Sequence, residues 1–302
     1  MTTEPLGLAV VDKPPGITSH DVVAAVRRAL GVRRVGHAGT LDPPATGVLL
    51  VGVGRATRLL RFLQGTDKAY EGTLVLGSAT STLDATGEVT GTYDMAGVSD
   101  EDVAGAAAAL TGELDQVPPM VSAVQVGGRR LHELAREGIE VDRAARRVRV
   151  STFVVAPLGD GTWRFVVECS SGTYVRSLAD DLGRALGGGA HLASLRRTRV
   201  GRFGLDGAIP LSSFGTPEGP PTMPLLSPAA MVGHLGSVVV SADETVALVQ
   251  GRTVRVPASG VPREVAALGE DRRLIAVCAD GGDGVLRPSV VVATTGQPSR
   301  DD

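Results

Sequence analysis

Residues 36–54, GHAGTLDPPATGVLLVGVG, restrict the chain more than any other segment. The second half, GVLLVGVG, is a continuous apolar run of the length of a buried strand. The first half is a loop in which Gly36, Gly39 and Gly47 open backbone conformations closed to other residues, while Pro43 and Pro44 lock φ and pre-order the chain. One acid, Asp42, stands in it between Leu41 and the two prolines, with arginines on both sides and no second acid nearby. An Asp before proline commonly caps a turn. A loop this stiff also holds a side chain in place before a substrate arrives, so Asp42 is open to either role.

The flanking sequence supplies the frame. LGLAVVDKPPG reads as a buried strand halted by Pro14, Pro15 and Gly16. TSHDVVAAVRRALG predicts a helix with Ser19 as N-cap, Val22, Val23, Val26 and Leu30 on one face, and Gly31 at the C′ position. ATRLLRFL predicts a second helix, KAYEGTLVLG a half-buried strand, and SDEDVAGAAAALTG a helix opened by a capping box from Ser99 to Asp102. RLHELAREG reads as a short helix closed by Gly138, RRVRVSTFVVAPL and TWRFVVECSSG as strands, TYVRSLADDLGRALGGG as a helix, and SLRRTRVGRF as a strand. Helices and strands alternate without the regular rhythm of a parallel sheet. The expected fold class is therefore α+β, built on a mixed, mainly antiparallel sheet.

A third of the 18 prolines fall in IPLSSFGTPEGPPTMPLLSP, which predicts a connector over residues 208–230. The expected domains are 1–230 and a smaller β-rich module, 231–302, in which GGDG makes a hairpin turn. At 302 residues the chain has room for both. No window approaches the run of about 20 apolar residues that crosses a bilayer, and the N-terminus lacks the pattern of a signal peptide, so a cytoplasmic location is expected.

The net charge of −3 hides an uneven distribution. Seven arginines between Arg27 and Arg61 face one acid, five lie between Arg184 and Arg202 with none, and residues 62–128 hold Lys68 as their only base among many acids. Such segregation can make a basic face for a polyanion; it can equally record a preference for arginine, since lysine occurs only at positions 13 and 68. Several chemistries are excluded. GVGRAT lacks the remaining parts of a dinucleotide fingerprint, LHELAR has one histidine rather than a zinc pair, and neither a phosphate-binding P-loop nor a G-x-S-x-G nucleophile elbow occurs. Cys169 and Cys278 form no CxxC pattern and read as buried small hydrophobes; no metal site is expected.

DKPPGITSHDVVAAVRR, GHAGTLDPPATGVLLVGVGRATRLL, DKAYEGTLVLGSATSTLDATGE, PPMVSAVQVGGRRLHELAREG, CSSGTYVRSLADDLGRALGGGAHLASLRRTRVG and the β-rich C-terminus resemble, in order, the TruB family of tRNA pseudouridine synthases from about Leu6 to Val292. The resemblance implies a pseudouridine synthase core followed by a PUA-like RNA-binding domain. It implies isomerisation of uridine 55 in the tRNA T loop (T-arm), without cofactor, metal, guide RNA or obligatory protein partner. It gives Asp42 the role of catalytic aspartate, Tyr70 that of the tyrosine stacked on the uracil, and Tyr174 and Arg176 those of a second tyrosine and the arginine of the pocket. Leu195 matches a wall residue, His37 the histidine that enters the T loop, and Lys13 and Asp84 supporting residues. Arg176 is the candidate to keep Asp42 ionised in an enclosed pocket. Two other readings are a tRNA-binding chaperone that has lost catalysis, and a guide-dependent synthase.

Overall fold

The computed structural model describes residues 4–293 except 123, 215–224 and 262, and omits the side chain of residue 132. Its centre is a ten-stranded sheet whose main path runs Ile209–Pro210, Gly7–Lys13, Thr46–Val53, Ala190–Val200, Lys68–Leu76, Thr162–Cys169, Arg146–Gly159 and Gly112–Gln116. Only two of its pairings are parallel, Gly7–Lys13 with Ile209–Pro210 and Thr46–Val53 with Ala190–Val200. The mixed, mainly antiparallel sheet expected from the sequence is therefore present.

The strand Thr46–Val53 is buried along nearly its whole length, as its unbroken apolar run requires. It pairs with Gly7–Lys13 on one side and with Val35–Ala38 and Ala190–Val200 on the other, so the loop carrying Asp42 leaves from the middle of the sheet. The helix Ser19–Leu30 buries Val22, Val23 and Val26 against this sheet and stops at Gly31, φ 63°. Its N-cap is Thr18, in a capping box with Asp21, and not Ser19 as the sequence suggested. Two adjacent hydroxyls can serve a helix start; here the second is diverted into the core. The expected helix over ATRLLRFL is split into a 3₁₀ turn, Gly54–Leu59, and a short α-helix, Leu60–Gln64.

Pro217, Pro220, Pro221 and Pro224 of the expected connector lie outside the described residues. On either side of them the chain returns to the same strand. Ile209–Pro210 pairs with Val11 and Asp12, and Leu226 exchanges both main-chain hydrogen bonds with Leu8 at 2.9 Å. A second, five-stranded sheet follows in the order Gly236–Val239, Arg263–Leu268, Leu274–Asp280, Val285–Val291, Val254–Arg255. Residues 281–284, GGDG, connect two of its antiparallel strands as expected.

The two sheets share apolar side chains. Met231, Ala266, Leu274, Val277, Val290 and Val292 belong to one buried cluster with Leu8, Val48, Leu59, Phe62 and Val200 of the large sheet and its helices. Arg58 donates to the Val291 carbonyl at 3.0 Å, and Arg61 reaches Ser289 and Glu264. With a common core, both sheets are expected to melt in one cooperative transition, and Met231→Ala, at a fully buried position, to cost about 2–5 kcal/mol. Calorimetry and denaturant unfolding check both; two separated transitions would show that each sheet folds alone.

Candidate active site

Around Asp42 every carbonyl from Gly39 to Pro43 has a hydrogen-bond donor. Arg197 donates through Nη2 to Gly39 O at 3.0 Å and through Nη1 to Thr40 O at 3.4 Å. The Ser19 hydroxyl donates to Leu41 O at 3.1 Å and accepts from Leu41 N at 2.9 Å. Ala45 N donates to Asp42 O, and Pro43 O receives both Gly16 N and Lys13 Nζ. Gly39 turns the chain with φ 84°, and Gly47 closes the loop with φ 100°, where a Cβ would stand 2.2 Å from Arg197 O. Gly36, by contrast, has no positive φ, and a Cβ there would stand 3.4 Å from Leu60, an ordinary contact.

The Asp42 carboxylate meets Arg176 Nε at 3.0 Å. Arg176 lies on the helix Val175–Ala185 and its side chain is 5% exposed, whereas that of Asp42 keeps 39% of its surface open. Both terminal nitrogens also donate to main chain. Nη1 donates to Thr82 O at 3.0 Å and stands 3.7 Å from Asp84, and Nη2 donates to Val121 O at 2.8 Å. The contact with Asp42 is an ion pair made through Nε. A second acid absent from the neighbouring sequence is supplied by the fold: Asp84, in a turn tied to Leu192 and held by Thr82 and Thr86.

Burial pushes the Asp42 carboxyl above the ordinary carboxylate range, and the Arg176 charge opposes that shift while Asp84 adds to it. Lys13 is fully buried and donates to the carbonyls of Pro14, Ile17 and Pro43; burial brings its pKa down to about 8. It holds the loop from beneath. Tyr70 is 8% exposed within the main core, with its pKa raised by burial. Its strand pairs with Arg197 directly opposite, and that guanidinium favours the ionised phenol.

The other expected residues surround this centre without joining its ion pairs. Tyr174 precedes the Arg176 helix, and its peptide is clamped in both directions by Gln116, which accepts from Tyr174 N at 2.7 Å and donates to Tyr174 O at 3.1 Å. Leu195 is half-buried against the main core. His37 packs edge-on against His20, with ring centroids 5.2 Å apart, and its Nδ1 is buried without a hydrogen bond. Burial lowers its pKa to about 4, so the ring is neutral at pH 7.

Ser19, Gln116 and Arg197 were missed in the sequence because each acts on main chain far away in sequence. The basic segments also separate by function. Arg27, Arg28, Arg33 and Arg34 are exposed. In the second segment Arg184 pairs with Asp180, Arg196 with Asp12 and Arg199 with Glu168, while Arg197 is buried. Of the arginines in that stretch only Arg197 is buried; Arg184, Arg196 and Arg199 keep part of their surface open while paired. Among the described residues no group of His, Cys, Asp and Glu could hold a metal, and no helix is long and apolar enough to cross a membrane. Cys169 and Cys278 are free and buried, their thiols pushed up to about 11.

The Ser19 bonds give a direct stability test. Ser19→Ala leaves the Leu41 N–H without its acceptor and is expected to cost about 1–3 kcal/mol, read as a shifted urea midpoint at unchanged slope. A midpoint equal to wild type would show that the loop does not depend on this hydroxyl.

The family model of the TruB pseudouridylate synthase N-terminal domain matches residues 27–175, and that of the tRNA pseudouridylate synthase B C-terminal domain matches residues 176–215. The chain is 48% identical to tRNA pseudouridine synthase B of Mycolicibacterium paratuberculosis over 292 residues, covering 95% of this chain and 97% of that protein. It is 57% identical to the tRNA pseudouridine synthase B of Mycobacterium sp. (strain KMS) over 212 residues, 69% of this chain and 71% of that protein. Its fold is similar to a chain of an H/ACA ribonucleoprotein bound to a substrate RNA containing 2′-deoxyuridine, with TM-score 0.72 and 23% identity over 96% of this chain and 86% of that one. It is also similar to a chain of the archaeal box H/ACA Nop10–Cbf5 complex, with TM-score 0.69 and 25% identity over 95% of this chain and 86% of that one. From the matched domains, the identity along the chain and the shared fold, the protein belongs to the TruB family of tRNA pseudouridine synthases.

Proposed function

We propose that the protein converts uridine 55 in the T loop of tRNA to pseudouridine, with Asp42 as the essential carboxylate. The observation that carries this reading is a carboxylate with its backbone immobilised on both sides, a buried guanidinium 3.0 Å away and an open face toward solvent. A side chain kept for turn-capping would need neither the guanidinium nor the bracing. The reaction breaks the bond from C1′ to N1, turns the uracil, joins C1′ to C5, and releases the C5 proton while N1 gains one. A base inside a folded loop must first be flipped out, at a cost of a few kcal/mol.

In this reading Asp42, Tyr70 and Arg176 do the chemistry. Asp42 assists loss and return of the base, Arg176 keeps it charged against burial, and Tyr70 offers its ring to the flipped uracil. Tyr174 and Leu195 complete the pocket wall, His37 occupies the loop vacated by the base, and Lys13 and Asp84 hold the Asp42 loop and Arg176 in place. Residues 231–302 are proposed as a PUA-like RNA-binding domain joined by the 208–230 connector, and the enzyme as cytoplasmic, working alone. The likeness to H/ACA chains favours a guide-dependent synthase as the second reading.

The purified chain, incubated alone with an unmodified tRNA transcript carrying tritium at uracil C5, is expected to release tritium stoichiometrically with uridine 55. Release only after a guide RNA or partner protein is added would favour the second reading. Asp42→Asn is expected to bind tRNA as wild type does and to release no tritium above background; substantial turnover would remove Asp42 from the chemistry. In Arg176→Lys one ammonium cannot serve Asp42, Thr82 O and Val121 O together. The charge that lowers the Asp42 pKa is then misplaced, so that pKa rises further. The acid limb of the pH–rate profile should move to higher pH with a fall in kcat. An unmoved limb with normal kcat would show that Arg176 is only a structural residue.

A further inference from the structure

Among the described residues Arg197 is the largest fully buried side chain, 1% exposed, and the family resemblance assigned it no role. Its guanidinium donates to three main-chain carbonyl oxygens: Nε to Val48 at 2.7 Å, Nη1 to Thr40 at 3.4 Å and Nη2 to Gly39 at 3.0 Å. Val48 lies just after the Asp42 loop, while Gly39 and Thr40 lie just before Asp42. One guanidinium therefore joins the entry and the exit of the loop. Its own peptide stands opposite Gly47 in one strand pairing and opposite Tyr70 in the next.

Burying a guanidinium without a carboxylate partner is costly, and a well-packed apolar residue of similar size commonly serves a core better. A charge kept there is explained by geometry: the planar fork has donors enough to hold several carbonyls in fixed relative positions. Arg197 also faces the Tyr70 hydroxyl. By contrast, the influences on Asp42 ionisation are burial, Arg176, Asp84 and Lys13. Two arginines thus divide the work, Arg176 acting on the charge of Asp42 and Arg197 on its place.

We propose that Arg197 is a positioning residue for catalysis, fixing the Asp42 loop against the Tyr70 strand so that carboxylate and phenol are held at a constant separation before tRNA binds. This rests on the reading of Asp42 as the essential carboxylate.

The test compares Arg197→Lys and Arg197→Met with Arg176→Lys and Asp42→Asn, using tritium release at saturating tRNA, tRNA binding and the pH–rate profile. Arg197→Lys keeps the charge and loses the fork; Arg197→Met keeps apolar length and removes the charge. Both are expected to lower kcat about 100-fold, as displacement of a reacting group by about 1 Å does. Affinity for tRNA should stay near wild type, and the Arg197→Lys acid limb should stay where wild type has it, unlike that of Arg176→Lys. A purely structural role would lower stability without lowering the kcat of the folded fraction. Normal kcat in folded Arg197→Lys, an acid limb displaced as in Arg176→Lys, or unfolding of both Arg197 variants would overturn the proposal. Turnover by Asp42→Asn would instead overturn the reading of Asp42 on which it rests.

Discussion

The structure depends on hydrogen bonds to five successive carbonyls, from Gly39 to Pro43. A loop on a sheet would ordinarily turn these groups to water. Here side chains from the first strand, the first helix and the strand Ala190–Val200 reach in to four of them, Ala45 N donates to the Asp42 carbonyl, and the prolines remove part of the remaining backbone freedom. Within this clamp the Asp42 side chain keeps 39% of its surface open. Conformational entropy is removed during folding and not at the moment of substrate binding, which is what preorganised sites require.

Electrostatics around this point are divided between two kinds of contact. Arg176 is shared by Asp42, Asp84 and two carbonyls, so it cannot fully offset the burial of Asp42, and the carboxyl remains above its ordinary range. Lys13 and Arg197 make no ion pair in this cluster and spend their donors on main chain. Their positive charge bears on neighbours instead: Arg197 lowers the pKa of Lys13, of His37 and of Tyr70, whose net shift burial still carries upward. The site is thus one partly open carboxylate with two fully buried cations nearby.

The second sheet is bound to the first by apolar packing and not only by the connector. The 3₁₀ turn and short helix that follow Thr46–Val53 carry Leu59, Phe62, Arg58 and Arg61 onto it, so the strand leaving the Asp42 loop continues directly into the contact between the two sheets. The site and the C-terminal sheet are mechanically adjacent through one stretch of about 20 residues.

Much was legible in the sequence where the physics is local. The apolar run of Thr46–Val53, the capping box at Ser99 and the glycine stop at Gly31 rest on periodicity and on neighbours within four residues, and each appears as expected; Lys68–Leu76 is a strand as expected, but its burial does not alternate, since Lys68, Ala69 and Tyr70 are all buried. The ordered motifs also carried Asp42 and Arg176, which the fold brings to 3.0 Å. What only the tertiary structure decided is the destination of donors that act across long separations. Ser19 looked like a cap and instead holds Leu41; of the arginines near position 197, Arg196 and Arg199 form ion pairs and Arg197 a buried brace; Asp84 came from 42 positions away to face the same guanidinium as Asp42. A hydroxyl or guanidinium carries no mark in sequence of which carbonyl it will satisfy, because main-chain acceptors are the same at every residue and only the packed fold places one within 3 Å of the donor.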